Sequence, residues 1–124
     1  ENKMPTYQKQ ALSGSTDGRP IPITVTTPGG TGTLIHTATS ASAENEYDEI
    51  WVWATNIDET AVELGVEFGG VADGDHIHIN VPGLGAGPLL VIPGIPLQNG
   101  LVCRATASVA SDVNVFGYIN RVIT

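Results

Sequence analysis

Asp48-Glu49-Ile50-Trp51-Val52-Trp53-Ala54-Thr55-Asn56 is the stretch on which the fold turns. Side chains of a strand point alternately to opposite faces, so Ile50, Val52 and Ala54 share one face and Trp51, Trp53 and Thr55 the other. Both faces are apolar, which a strand wetted on one side would not show. One face fills the core, and the tryptophans need a second cover. That cover is either a loop of the same chain, such as Gly83 to Pro88, or another subunit. A bare tryptophan pair makes an apolar patch that soluble monomers seldom carry, and tryptophan is enriched at interface centres. Trp51 and Trp53 are therefore candidate interface residues of a homo-oligomer.

Outward from this strand the pattern repeats. Ala61 to Phe68 alternates most cleanly, with Val62, Leu64, Val66 and Phe68 expected inward and Glu63 and Glu67 outward. His76 to Val81 places Ile77, Ile79 and Val81 on a core side. Thr33 to Thr39, Leu89 to Ile92, Leu101 to Ser108 and Val113 to Ile123 read as further strands. Ile21 to Thr26 reads as another, confined by Pro20 and Pro22 to an edge or a strand start. Asn99-Gly100 is a hairpin signal. Fifteen glycines and eight prolines fall between these runs, and no window carries apolar residues at helical spacing. The expectation is an all-β, antiparallel, jelly-roll-like β-sandwich spanning 21–124, preceded by an extended, flexible N-terminal arm over 1–20.

At 124 residues the chain holds one domain, long enough to build a core without metal or disulfide staples. Cys103 is the single cysteine, so no intrachain disulfide forms. The polar opening Glu1-Asn2-Lys3-Met4-Pro5 does not read as a signal peptide. The most apolar tract, Val81 to Leu97, is broken by four prolines and four glycines and is not a membrane span. Net charge is −8, unevenly spread. Residues 1–20 hold Lys3, Lys9 and Arg19 against Glu1 and Asp17, whereas the rest holds Arg104 and Arg121 against eleven carboxylates. An acidic body repels phosphate backbones, which argues against a nucleic-acid partner. A slightly basic leader on an acidic body reads as an arm that reaches an acidic neighbour and orders there, which makes Lys3, Lys9 and Arg19 candidate interface residues; a frayed terminus is the alternative.

The chain offers little chemistry. His76-x-His78 is the pair with metal-ligand spacing, since residues i and i+2 of a strand point the same way. It resembles the first half of a cupin motif, with Asp73 and Asp75 nearby, but Asn80-Val81-Pro82-Gly83 follows where a glutamate belongs. No metal and no cofactor is expected. Glu63 and Glu67 lie about 13 Å apart along a strand, beyond the reach of a glycosidase pair. Glu44, Glu46, Asp48 and Glu49 lack the spacing of a calcium loop. Gly83-Leu84-Gly85-Ala86-Gly87 has no helix behind it to complete a phosphate site. No Gly-x-Ser-x-Gly is present, and Cys103 reads as a small packed residue. The chain is not expected to be an enzyme.

Several stretches together resemble small bacteriophage virion proteins of the head decoration (cement) type. They are Ser13-Gly14-Ser15 through Arg19-Pro20-Ile21, Gly32-Thr33-Leu34-Ile35-His36-Thr37-Ala38, and Tyr47-Asp48-Glu49-Ile50-Trp51-Val52-Trp53 with Asn56. Val66-Glu67-Phe68-Gly69-Gly70-Val71, Asn99-Gly100-Leu101-Val102 and Gly117-Tyr118-Ile119-Asn120-Arg121 complete the set, so that the likeness covers about residues 13–122. These are structural patterns, and they carry over no catalytic residue. The resemblance implies a β-sandwich on the outer capsid surface of a virion, in contact with the major capsid protein and often trimeric. The alternative function is a carbohydrate-binding or other ligand-binding module that uses Trp51 and Trp53 as a stacking platform.

Overall fold

The computed structural model describes residues 4–43, 45–84 and 86–124. Among them the chain forms β1 (Thr6–Ala11), β2 (Ile21–Pro22), β3 (Thr33–Thr37), β4 (Glu46–Asn56), β5 (Val62–Phe68), β6 (His76–Val81), β7 (Leu89–Leu97), β8 (Val102–Ala107) and β9 (Val113–Ile123). One short 3-10 turn at Asp73–Asp75 leads into β6. The strands make two antiparallel sheets. The first runs β1-β9-β4-β7, with β2 also bordering β9, and the second runs β3-β8-β5-β6. This is the expected all-β antiparallel sandwich.

Burial follows the alternation read from the sequence. Ile50, Val52 and Ala54 on β4, Val113, Val115 and Ile119 on β9, and Val62, Leu64 and Val66 on β5 are all buried in one cluster with Ile23, Ile35 and Ile92. The core is aliphatic: Phe68 is only partly buried at its margin. Removing the Val, Leu and Ile side chains of this cluster from water is the main stabilising term, at roughly 1.5–3 kcal/mol each. β4 and β9 pair along their whole length, Glu46 opposite Ile123 through Asn56 opposite Val113. They meet so closely at Gly117 that a Cβ there would lie 1.9 Å from the Trp51 carbonyl oxygen.

Four expectations need correction. The flexible arm is the first. Thr6–Ala11 is strand β1, paired with β9 from Thr6 opposite Ile123 to Ala11 opposite Tyr118, and Leu12 is a buried core residue. The segment shows no apolar alternation because a sheet-edge strand is wet on most of its surface, and its pairing is made by backbone groups. Lys3 lies outside the described residues. Second, the strand expected at Ile21–Thr26 is limited to Ile21–Pro22, although Ile23 still donates its N–H to Val113 and packs fully into the core. Third, β7 extends beyond Ile92 to Leu97, through Pro93 and Pro96. Its place at the sheet edge tolerates prolines, which lack the N–H an interior strand would need. Fourth, Asn99 and Gly100 do form a tight turn with φ of 63° and 67°, but β7 and β8 lie in different sheets, so the turn is a crossover and not a hairpin.

Candidate docking face

The outer face of the first sheet is built by register. Trp51 and Trp53 alternate out of β4, Tyr118 stands directly opposite Trp51 on β9, and Phe116 opposite Trp53. Tyr7 on β1 and Tyr47 on β4 flank Val122 of β9 on the same face. Six of the seven aromatic residues thus lie outside the core on one sheet surface. The indoles of Trp51 and Trp53 are stacked at 6.4 Å between centroids and 20° between planes, and Tyr118 lies 6.3 Å from Trp51 and 6.1 Å from Trp53. Trp51 reaches across the neighbouring strand: a Cβ at Gly94 would come within 2.5 Å of its ring, so that glycine makes the room.

Neither tryptophan is fully covered; both are half-buried, and the 83–88 loop considered as a cover leaves Pro88 exposed beside them. A shallow depression of about 430 Å3 opens on this face between Gly18, Trp53, Pro88, Phe116, Gly117 and Tyr118. Leu90, 42% exposed, extends the apolar surface over Trp53. The Lys9 ammonium sits 4.2 Å from the Tyr118 ring centroid, a cation–π contact at the rim. Arg19, also exposed, follows Gly18 on the adjoining loop. The two other described cations are engaged within the fold, Arg104 donating to the Gly32 carbonyl and Arg121 to Asp48. The structure therefore brings Lys9, Trp51 and Trp53 together, whereas Arg19 lines a separate depression with Gly14, Pro22 and Asn114. Sequence reading missed Phe116 and Tyr118, whose alternation on one strand face was the available signal.

Beneath this face, Asp48 is fully buried. Its carboxylate accepts from Arg121 Nε at 2.8 Å and Nη2 at 3.1 Å, from the Thr39 N–H at 3.0 Å, and from His36 Nε2 at 2.8 Å. The Ser13 N–H donates to His36 Nδ1 at 3.0 Å, which assigns the ring proton to Nε2 and leaves the imidazole neutral. Burial alone pushes the Asp48 carboxyl up, but the hydrogen bonds from Arg121 and His36, the Arg121 charge and the Thr39 N–H outweigh it and hold the group below its ordinary value. The network joins β3, β4 and β9 and ties both sheets together. An Asp–His pair invites comparison with a catalytic triad, but both nitrogens of the buried His36 ring are engaged within the fold, Nδ1 by the Ser13 N–H and Nε2 by Asp48.

The other candidates disperse. His78 Nδ1 lies 3.1 Å from Glu63 Oε1, His76 Nε2 lies 3.5 Å from Glu67 Oε2, and the two rings are 5.9 Å apart. Among the described residues no three His, Cys, Asp or Glu side chains converge as a metal site requires. Glu67 is not the solvated charge expected. It is 4% exposed, and its carboxylate accepts the N–H groups of Gly29 and Gly30, pinning that loop to the second sheet. Of the acidic run, Asp48 enters the buried network, Glu46 accepts the Thr39 hydroxyl, Glu49 points to the outer face, and Glu44 lies outside the described residues. Cys103 is buried, and desolvation pushes its thiol up to about 12. Among the described residues no helix is long and apolar enough to cross a membrane. No known protein family, curated protein or solved structure matches the chain significantly.

Proposed function

We propose that this chain is a non-catalytic structural subunit that docks through the aromatic face of its first sheet onto another protein. Following the resemblance to head decoration proteins, the partner is the major capsid protein on the outer surface of a phage head. The observation that carries docking is the placement of Trp51, Trp53, Phe116 and Tyr118 outside the core on one half-covered sheet face. Large rigid aromatics of this kind supply most of the binding energy where interfaces are desolvated. Lys9 at the rim of this face and the exposed Arg19 on the loop after β1 suit a partner of acidic surface, since complementary charge steers encounter. The order β1-β9-β4-β7 facing β3-β8-β5-β6 reads as a jelly roll, an architecture shared by viral capsid domains and lectins. Fold alone does not choose between those uses.

The second reading, a carbohydrate platform, draws on the near-parallel rings. Sugar sites combine stacking with converging polar groups. Among the side chains that line the depression, the polar groups are the Tyr118 hydroxyl and the Trp53 indole N–H alone. That poverty favours a protein surface. The test is sedimentation of the chain with purified phage heads, against affinity electrophoresis in neutral and acidic polysaccharides. Trp51→Ser with Trp53→Ser is expected to weaken head binding about thirtyfold, the loss of about 2 kcal/mol typical of a hot spot, while β-type circular dichroism persists. Retardation by a polysaccharide, abolished by the same pair of changes, would move the assignment to carbohydrate binding.

A further inference from the structure

The two sheets present four edges, and they are not equally guarded. β7 carries Pro93 and Pro96 and a bulge at Gly94, which remove donors and break register. β3 is covered by the loop after β1, where the Gly14 N–H donates to the Ile35 carbonyl and the Ser13 hydroxyl accepts from the Thr37 N–H. β6 holds no proline and no bulge, but it is entered from the Asp73–Asp75 turn and its two histidines lie against Glu67 and Glu63 of β5, so carboxylates crowd this edge of an acidic chain. β1 is different. Thr6-Tyr7-Gln8-Lys9-Gln10-Ala11 contains no proline, no bulge and no carboxylate, and five of its six residues are exposed. One side pairs with β9, and along the other no strand among the described residues pairs with its N–H and carbonyl groups.

We infer that two copies of this chain pair antiparallel through β1 about a two-fold axis perpendicular to the sheet. The register follows from face and charge. For both copies to keep the aromatic face on the same side, residues of like parity must stand opposite. One such register sets Lys9 against Lys9, placing like charges in direct opposition. The neighbouring one sets Gln8 against Gln8 and Tyr7 against Lys9 of the second copy, twice by symmetry. There the ammonium that already lies over Tyr118 meets a second phenol, and Tyr7, 63% exposed in the single chain, gains a cover. The two amides at the axis can hydrogen-bond to each other. The product is a sheet continuous across both copies with both aromatic faces on one side. It is a dimer, where the resemblance implies a trimer, and it does not depend on what the aromatic face binds.

Sedimentation of the intact chain at micromolar concentrations and above, with site-directed disulfide capture, tests this. Buried Cys103 does not compete for the cross-link. The expected results are a reversible dimer, an inter-chain disulfide from Gln8→Cys but not from Lys9→Cys, and a dimer about fivefold weaker in Gln8→Lys, which sets two charges at the axis. A monomer throughout, a trimer, capture by Lys9→Cys in place of Gln8→Cys, or a dimer indifferent to Gln8→Lys would each overturn the pairing. Head binding measured separately distinguishes failure of this contact from failure of the docking assignment.

Discussion

Replacing Arg121 with Gln isolates the buried charge network. Asp48 is fully buried and accepts two of its four hydrogen bonds from the guanidinium, whose side chain is 26% exposed. Removing one partner of a buried pair strands the other charge, at a cost of about 3–5 kcal/mol. His36 and the Thr39 N–H still hold the carboxylate, and protonation offers it an escape, so the lower end, about 3 kcal/mol, is expected. For a chain of this size that is a fall in Tm of about 10 °C. Acidity provides the sign. In the wild type the Asp48 carboxyl lies below its ordinary value of 3.8, so its stabilisation is complete above that value and is lost as pH falls through the lower folded value. In the variant, burial is no longer outweighed by the Arg121 charge and the carboxyl shifts upward. Guanidinium denaturation of both proteins from neutral pH down to pH of about 3 is the assay. The gap is expected to close steadily across the acidic range. A gap of under about 1 kcal/mol at neutral pH, or one that stays constant with acidification, would refute the network's role.

Gly117→Ala should be among the most damaging small changes, costing about 3 kcal/mol or more, because the new methyl meets the Trp51 backbone in the central strand pair; thermal unfolding measures it. Cys103 should stay unmodified by a thiol reagent at neutral pH in the folded protein and react on unfolding, since its thiol is buried with a value near 12; mass spectrometry of labelled protein reads this directly. The double change His76→Gln with His78→Gln should move stability by no more than about 1 kcal/mol, and the native protein should carry no stoichiometric zinc. Zinc lost together with head binding in that variant would make the pair a metal site after all.

Where strands were wet on one side and dry on the other, alternation alone located them: β5, β6 and β9 stand close to where their sequences put them, and Ile50, Val52 and Ala54 enter the core as read. β1 was illegible because its residues are exposed on both faces and its pairing uses only backbone groups, which leave no side-chain signature. The same holds for the turn at Asn99-Gly100, whose backbone dihedrals follow from local chemistry while the partner of the next strand does not. Glu67 looked like surface charge because alternation knows one sheet at a time; the glycine loop that covers it comes from far along the chain. The candidate face was half visible in Trp51 and Trp53. Its completion by Phe116, Tyr118 and Lys9 needed the register that sets β1, β9 and β4 side by side.

Docking onto a capsid requires the chain to be a component of an assembled particle. Quantitative mass spectrometry of virus particles purified from the source of this sequence tests that most directly. Intact particles are expected to hold the chain at a fixed ratio to the major capsid protein and to lose it with the Trp51→Ser, Trp53→Ser pair. Particles that are complete and infectious without the chain, and hold none of it when it is expressed, would contradict it.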